Sequence, residues 1–195
     1  MAFDENAPFM RDRLKLQSEY QTERLTIKLS AVTLSAKVTE YFIRNRDFLC
    51  EANAQRTEEF FTSLYQLMLL SADEDNFIRG AAAKYWIFEN GGRDIIGMVA
   101  LNNIITGAFS SCFLSYRMDY RYADKGYSLE AVEKLIDIAF NEIGLRRIEA
   151  IIMPRNQRSL GLVEQLGFVC EGHSRGYLRI RDKWEDHLHM TLMRT

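Results

Sequence analysis

A short loop that leads directly into a helix carries the residues best suited to hold a phosphate group. The loop covers residues 119–128, and its glycine, Gly126, immediately precedes an amphipathic helical pattern. A helix N-terminus offers unpaired backbone N–H groups and the positive end of the helix dipole. A glycine lets the backbone come close to an anion, because no Cβ stands in the way. The pattern suits a pyrophosphate, although one glycine before a helix is more often an ordinary strand-to-helix turn.

A second helix start places two more polar residues three positions apart. Asn156 follows Pro154 and is a favourable N-cap, and Ser159 stands where a capping network forms. This helix is predicted to end at Gly167. Capping by itself accounts for both residues, so it leaves their part in any chemistry open.

The cysteines and histidines lack the spacing of a metal site. The three cysteines, Cys50, Cys112 and Cys170, are far apart in apolar surroundings, and we interpret them as small core residues in a reducing cytoplasm. His187 and His189 alternate along a predicted strand and therefore face one side of it. With no third ligand nearby in the sequence, we predict packing or groove lining for this pair, and no metal.

Hydrophobic periodicity predicts the elements that position these residues: a strand, two helices, three antiparallel strands, a helix, a strand, a helix and two strands. The predicted strands cover residues 23–29, 83–89, 94–102, 110–119, 147–153, 176–181 and 185–193. The predicted helices cover residues 34–48, a segment that starts at Thr57, residues 129–143 and residues 156–166. A glycine-rich hairpin turn is expected at residues 90–93.

Two other segments complete this assignment. Residues 1–21 are polar and mixed in charge, and are predicted to be a loose extension. Residues 70–80 are acidic and are predicted to be a loop. The helix that starts at Thr57 is expected to bury the apolar residues Phe60, Phe61, Leu64, Leu67 and Met68.

Nearly the whole chain resembles the Gcn5-related N-acetyltransferases (GNAT), and within them the Rim type, which acetylates the N-termini of ribosomal proteins. The residues that carry the resemblance are 44–49, Ile95-Ile96-Gly97, Lys125-Gly126, Asn156-x-x-Ser159, Leu166-Gly167-Phe168, Glu171-Gly172 and Trp184-Glu185-Asp186-His187. The resemblance implies one α/β (α+β) domain over residues 1–195. Its mixed, mostly antiparallel twisted sheet would have about seven strands, flanked by about four helices. The sheet would splay between the family's fourth and fifth strands, here 110–119 and 147–153.

The resemblance also implies a site and a cosubstrate. Acetyl-CoA would lie in the splayed opening and be attacked directly by an amine in a ternary complex, without a metal. The residues implied to bind it are Met118, Ala123, Asp124, Lys125, Gly126, Tyr127, Ser128, Asn156, Arg158 and Ser159. The Met118 backbone would polarise the thioester carbonyl, and Ser159 would protonate the departing thiolate. Asp124 departs from the family pattern by bringing a negative charge towards the pyrophosphate, with Lys125 as an offset.

The amine acceptor is less well defined. The leading hypothesis is the N-terminal α-amine of a ribosomal protein; the alternatives are a small amine (polyamine, aminoglycoside or amino acid), or a CoA-binding module with weak catalysis. The first two helices and the final hairpin are expected to form the acceptor groove. The candidates for the general base are Glu171, His173, Tyr177 and Tyr116, each of which also has a structural explanation.

Composition sets the outer limits on function. With 195 residues, 47% hydrophobic and 27% charged, the chain fits an ordinary soluble domain, which we expect to be cytoplasmic and a monomer or homodimer. A net charge of −2 argues against a surface that coats nucleic acid, and no apolar run approaches the length of a membrane span. Residues 144–195 hold nine Lys/Arg against six Asp/Glu, or +3, which leaves −5 for the rest. The basic part contains Asn156, Arg158 and Ser159, which fits an anionic carrier.

Overall fold

A single eight-stranded sheet organises the computed structural model, which describes residues 16–48 and 56–195. The strands are β1 Glu19–Gln21, β2 Leu25–Leu29, β3 Ala83–Glu89, β4 Gly97–Ile105, β5 Ser111–Met118, β6 Arg147–Ile152, β7 Val169–Ile180 and β8 Lys183–Met193. They lie in the order β1-β2-β3-β4-β5-β6-β8-β7, and every neighbouring pair is antiparallel except β5 and β6. The predicted mixed, mostly antiparallel sheet is thus confirmed.

Four α-helices lie wholly within the described residues, and they cover the two faces of the sheet. They are α1 Ser35–Arg44, α2 Ser63–Ile78, α3 Tyr127–Asp137 and α4 Gln157–Gln165. One hydrophobic cluster joins α3 and α4 to one face, through Val132, Leu135 and Val163. A second cluster joins α1 and α2 to the other face, through Tyr41, Leu70 and Trp86. We call the latter the α1–α2 face; the chemistry described below lies between these two layers.

The strand predictions hold, with shifts at the ends. β3 has the predicted bounds, β4 starts and ends three residues later than predicted, and β7 begins at Val169, well before residue 176. The extra strand β1 occupies the last residues of the segment predicted as a loose extension, because its backbone pairs with β2 and Tyr20 is buried. Residues 1–15 of that segment lie outside the described residues.

The prediction for the second helix is wrong in two respects. A 3₁₀ turn, Glu58–Phe61, comes first; α2 then begins after its N-cap Thr62 and runs through most of the segment predicted as an acidic loop. One of its acidic side chains bonds to residues outside the helix: Asp73 accepts hydrogen bonds from Lys84 and Ser30. These hydrogen bonds set the rotation of the helix.

Because of that rotation, α2 buries Gln66 and Leu70 rather than the predicted apolar stripe. Leu64 is 70% exposed and Met68 is 64% exposed, and Leu67 is exposed as well. Only Phe60 of the predicted stripe is fully buried. A helix whose polar residues bond to the sheet can therefore leave its more apolar side in solvent.

The predictions for the cysteines have different outcomes. Cys112 is buried, and burial raises the pKa of its thiol to about 12, as fits an inert core residue. Cys170 is exposed, so its core assignment is wrong: β7 is the edge strand, and this position lies outside the packed layers. Cys50 lies outside the described residues.

Candidate active site

The sheet opens between its two parallel strands, as predicted for this pair. β5 and β6 pair only at Ser111–Arg147, Cys112–Ile148 and Phe113–Glu149. Beyond these pairs, residues 114–118 of β5 face residues 150–152 of β6 across a gap without ladder contacts. We call this opening the gap and its closed end, at Phe113 and Glu149, the vertex. A gap of this kind exposes strand N–H and C=O groups to a ligand.

The amide of Met118 points into the gap. The next amide, of Asp119, donates to the Ile96 carbonyl on the β4 side at 2.7 Å. Successive amides of a strand point to opposite edges, so the Met118 N–H faces β6. Gly97 fixes this end of β5, since a Cβ there would lie 2.6 Å from the Arg117 carbonyl oxygen.

The loop after β5 ends in a backbone conformation that favours glycine. Gly126 has φ +77° and directly precedes α3 as its N-cap residue. It has no side chain with which to cap the helix, so the amides of the first turn, from Tyr127 onward, remain available. The Tyr127 hydroxyl points elsewhere and donates to Glu89 at 2.8 Å. The backbone of this turn thus has the geometry of an anion site.

A buried carboxylate holds the start of the loop. Asp119 is fully buried; it accepts hydrogen bonds from Arg44 Nε at 2.7 Å, from Asn45 Nδ2 at 3.2 Å, and from the amide and guanidinium of Arg121. Burial alone would raise the pKa of this carboxyl, but the bonds from Arg121, Arg44 and Asn45 outweigh burial and lower it to about 2. Asn45 also accepts from the Tyr120 amide. The end of α1 is therefore joined to the residue after Met118.

A second contact, from the turn between β1 and β2, holds the other end of the loop. Arg24 donates to the Lys125 carbonyl at 3.0 Å and forms a salt bridge with Glu130 of α3 at 2.6 Å. The guanidinium also lies 4.7 Å from the centre of the Tyr127 ring. The loop is thus fixed at both ends, and its position does not depend on its own exposed residues.

The charge of Asp124 is offset differently from the sequence expectation. Its carboxylate is 95% exposed and lies 3.4 Å from the Arg158 guanidinium. Lys125, the expected offset, instead lies over the Tyr122 ring at 4.5 Å. The pair of Asp124 and Arg158 brings the loop and the first turn of α4 together. Arg158, predicted to contact the carrier, therefore stands beside the loop, whereas Arg155 pairs with Glu185.

The first turn of α4 borders the gap. The Asn156 side chain accepts a hydrogen bond from the Ser159 amide at 3.1 Å, so the predicted N-cap is confirmed. Tyr116 of β5 reaches this turn, and its hydroxyl donates to the Ser159 carbonyl at 3.2 Å. Burial raises the pKa of the Tyr116 phenol, which keeps it protonated. The Tyr116 phenol and the Ser159 backbone thus lie together at one side of the gap.

A cavity of about 310 Å³ lies on the α1–α2 face. Its walls come from α1, α2 and strands β3 to β5, and include Val38, Phe42, Leu70, Trp86 and Arg117. Arg117 precedes Met118 and lies in this wall, and burial lowers the pKa of its guanidinium. The cavity is therefore next to the gap, on the side opposite α3 and α4.

The structure separates the candidates for the general base. Tyr116 lies in the gap, and Glu171 forms a salt bridge with Arg147 at 2.6 Å. His173 alternates with Ser174 along β7 and lies on the opposite face of the hairpin, where it contacts Asp186. Tyr177 packs edge-on against His189. Of the four candidates, only Tyr177 contacts the pair His187 and His189, which lies on the α1–α2 side of the final hairpin.

Sequence reasoning missed the residues that hold the loop. Arg24, Glu130, Arg44, Asn45 and Asp119 make contacts that join positions 74 to 106 residues apart. The only signal in the sequence was the Arg44-Asn45 pair within the resemblance, to which no role had been assigned. In the described ranges, 16–48 and 56–195, no helix is long and apolar enough to cross a membrane.

Comparisons with known proteins agree with this geometry. The family model "Acetyltransferase (GNAT) domain" matches residues 25–169. The "Probable N-acetyltransferase YjcK" of Bacillus subtilis (strain 168) is 35% identical over 143 residues, which cover 73% of this chain and 79% of that protein. The ribosomal protein uS5-alanine N-acetyltransferase of Escherichia coli (strain K12) is 31% identical over 168 residues, which cover 86% of each chain.

A solved structure extends the likeness to three dimensions. The ribosomal-protein-S5-alanine acetyltransferase from Vibrio fischeri superposes with a TM-score of 0.85 at 29% identity, covering 91% of this chain and 97% of that one. The chain belongs to the GNAT family of acetyltransferases.

Proposed function

We propose that this N-acetyltransferase acetylates the N-terminal α-amine of a protein, with a ribosomal protein as the leading candidate. The observation that carries the proposal is the gap, which has a phosphate-type loop on one side and a deep cavity on the other. A carrier and an acceptor can thus approach one thioester from opposite faces of the sheet. The relatives named for acetylation of uS5 alanine support the choice of a protein N-terminus.

In this proposal the carrier is acetyl-CoA. Its pyrophosphate is bound by the backbone of residues 123–128, with Gly126 allowing the close approach. Arg158 supplies a cation at the same position, beside Asp124. The pantetheine arm runs along the gap, where it contacts Asn156.

The chemistry uses groups in the gap and no metal. The Met118 amide donates to the thioester carbonyl as negative charge develops on its oxygen. The amine attacks this carbon from the α1–α2 face, and the carbon–sulfur bond breaks. Ser159 gives its proton to the departing thiolate and regains one from the attacking nitrogen, which becomes the neutral amide nitrogen. The cavity next to Arg117 receives the first residues of the acceptor.

The experiment measures thiol release from acetyl-CoA with purified protein, in the presence of EDTA. The test acceptor is a peptide with a free N-terminal alanine and one internal lysine. The matched control is the same peptide with its α-amine already acetylated, and spermidine represents small amines. We expect turnover with the free peptide only, with the added acetyl group on its first residue by mass spectrometry. Turnover with spermidine but not with the peptide would overturn the proposal in favour of a small amine.

A further inference from the structure

A serine, a histidine and a glutamate form a hydrogen-bonded chain on the α1–α2 face of strands β6, β8 and β7. His189 Nδ1 lies 3.3 Å from Glu149 Oε1, and His189 Nε2 lies 2.9 Å from the Ser174 hydroxyl. The His189 side chain is 21% exposed, so it is shielded but reachable. The sequence patterns singled out His189 only as one of a histidine pair.

The partners of the ring determine which nitrogen carries the proton. An ionised carboxylate can only accept hydrogen bonds, so Nδ1 of neutral His189 bears the hydrogen that faces Glu149. Nε2 then has a free electron pair, and the Ser174 hydroxyl donates to it. This order of acceptor, histidine and hydroxyl is the arrangement that prepares an imidazole to take a proton.

The chain begins at the vertex of the gap. Glu149 belongs to the last pair that joins β6 to β5, with Phe113 as its partner. His189 pairs with Ile151, the β6 residue that borders the gap. Alternation along the strands puts Glu149 and His189 on the α1–α2 face, because Ile148, Ala150 and Met190 belong to the cluster on the other side. This is the face from which the proposed acceptor approaches.

We propose that His189 is the general base of the transfer reaction and acts through the Ser174 hydroxyl, with Glu149 as the positioning residue; the proposal rests on the proposed function. The N–H bond of the acceptor's ammonium breaks as an O–H bond forms on Ser174. The original O–H bond of Ser174 breaks as an N–H bond forms at Nε2. The amine keeps its electron pair and attacks the thioester, and Glu149 stabilises the imidazolium that results.

The charged and titratable groups around the ring fit this role. From β6, Arg147 donates to Glu149 Oε2 at 2.8 Å, and it also holds Glu171 of β7. This contact orients the Glu149 carboxylate towards His189. From β7, the Tyr177 ring lies 5.1 Å from that of His189. His187 lies on β8, the strand of His189. Its ring faces the backbone of its own strand, with Nδ1 at 3.0 Å from the Glu185 carbonyl oxygen.

The test compares His189→Gln with the matched control His173→Gln, which changes a histidine on the opposite face of the hairpin. The rate constant kcat/KM is measured with the alanine peptide from about pH 6 to above the pKa of its α-amine, which is about 8. At neutral pH we expect the kcat/KM of His189→Gln to be about 10²-fold lower than that of wild type. The difference should shrink above the pKa of the α-amine, because the amine is then neutral without a base. Acetyl-CoA affinity should stay unchanged, and His173→Gln should match wild type. Glu149→Gln should show the same pH-dependent loss, with partial recovery in Glu149→Asp.

If the kcat/KM of His189→Gln runs parallel to that of wild type across this pH range, the base assignment is overturned, whatever the absolute value of kcat/KM. If that variant does not fold, Ser174→Ala at a half-buried position tests the same path: we expect a pH-dependent loss, and a wild-type profile would overturn the proposal. Wild type that binds acetyl-CoA but acetylates no peptide would refute the proposed function instead. The two failures are therefore distinguishable.

Discussion

At the scale of single residues, the first turn of α4 combines a structural role with a proposed chemical one. Asn156 caps the helix through the Ser159 amide, whereas the Ser159 hydroxyl is proposed to protonate the departing thiolate. The two side chains should therefore respond differently to truncation. A cap acts in every state of the protein, but a proton donor matters only as charge develops on sulfur.

We predict that Asn156→Ala lowers the free energy of unfolding by about 1 kcal/mol and weakens acetyl-CoA binding. Ser159→Ala should leave acetyl-CoA affinity nearly intact and lower turnover by about 10²-fold, since water can partly replace the hydroxyl. The measurement is kcat at saturating acetyl-CoA, at a pH where the amine is neutral. Tyr116→Phe serves as the comparison. If it alone slows turnover while Ser159→Ala does not, the acid is Tyr116 and the assignment of Ser159 is wrong.

At the scale of elements, the loop before α3 is positioned from outside itself. Arg24 and Glu130 hold its end. Asp119 holds its start together with its partners Arg44, Asn45 and Arg121, and we call these four residues the Asp119 cluster. The loop residues are then free to present backbone rather than side chains. This explains how Asp124, which departs from the family pattern, is accommodated at a site that is proposed to bind through amides.

We predict that Gly126→Val weakens acetyl-CoA binding by at least 10-fold, because a branched side chain at φ +77° strains the backbone and stands where phosphate must approach. The matched control is Gly107→Val, which has φ +75° in the turn between β4 and β5. Both variants should lose stability, but only the first should lose affinity by calorimetric titration. Equal affinities in the two variants would mean that the carrier does not use this loop.

At the scale of the whole molecule, the Asp119 cluster joins the two layers of the structure. It connects the end of α1, which lines the cavity side, to β5 and the loop on the carrier side. Because so many donors bond to its buried carboxylate, Asp119 contributes to stability as well as to geometry. The direction in which this contribution changes with pH follows from the lowered pKa.

The folded pKa of Asp119 is about 2, below its ordinary value of 3.8. Its contribution is thus complete above about pH 4 and is lost as the pH falls through 2, a change of roughly 2 kcal/mol. We predict that Asp119→Asn is less stable than wild type at neutral pH, and that the difference shrinks in acid. Urea unfolding at several pH values measures it. Asp182→Asn, an exposed carboxylate, should run parallel to wild type; if Asp119→Asn does so too, the network does not carry this stability.

The sequence by itself determined the order of the main elements and the residues that cap the helices, and the family resemblance implied the splayed pair of strands. Periods of 2 and 3.6 and glycines at turns are local signals, and they depend on neighbours close in the chain. That is why β3, the N-cap Asn156 and the end of α4 at Gly167 were predicted correctly. The family likeness works in the same way, through short motifs.

Only the tertiary structure decided which faces are buried and which distant residues meet. The rotation of α2 follows from bonds between Asp73 and Lys84, and no periodicity within the helix reveals them. Likewise, Glu149, Ser174 and His189 lie on three strands and come together only because β8 inserts between β6 and β7. Hydrogen bonds between distant positions have no local sequence signature, since they depend on register and sheet order.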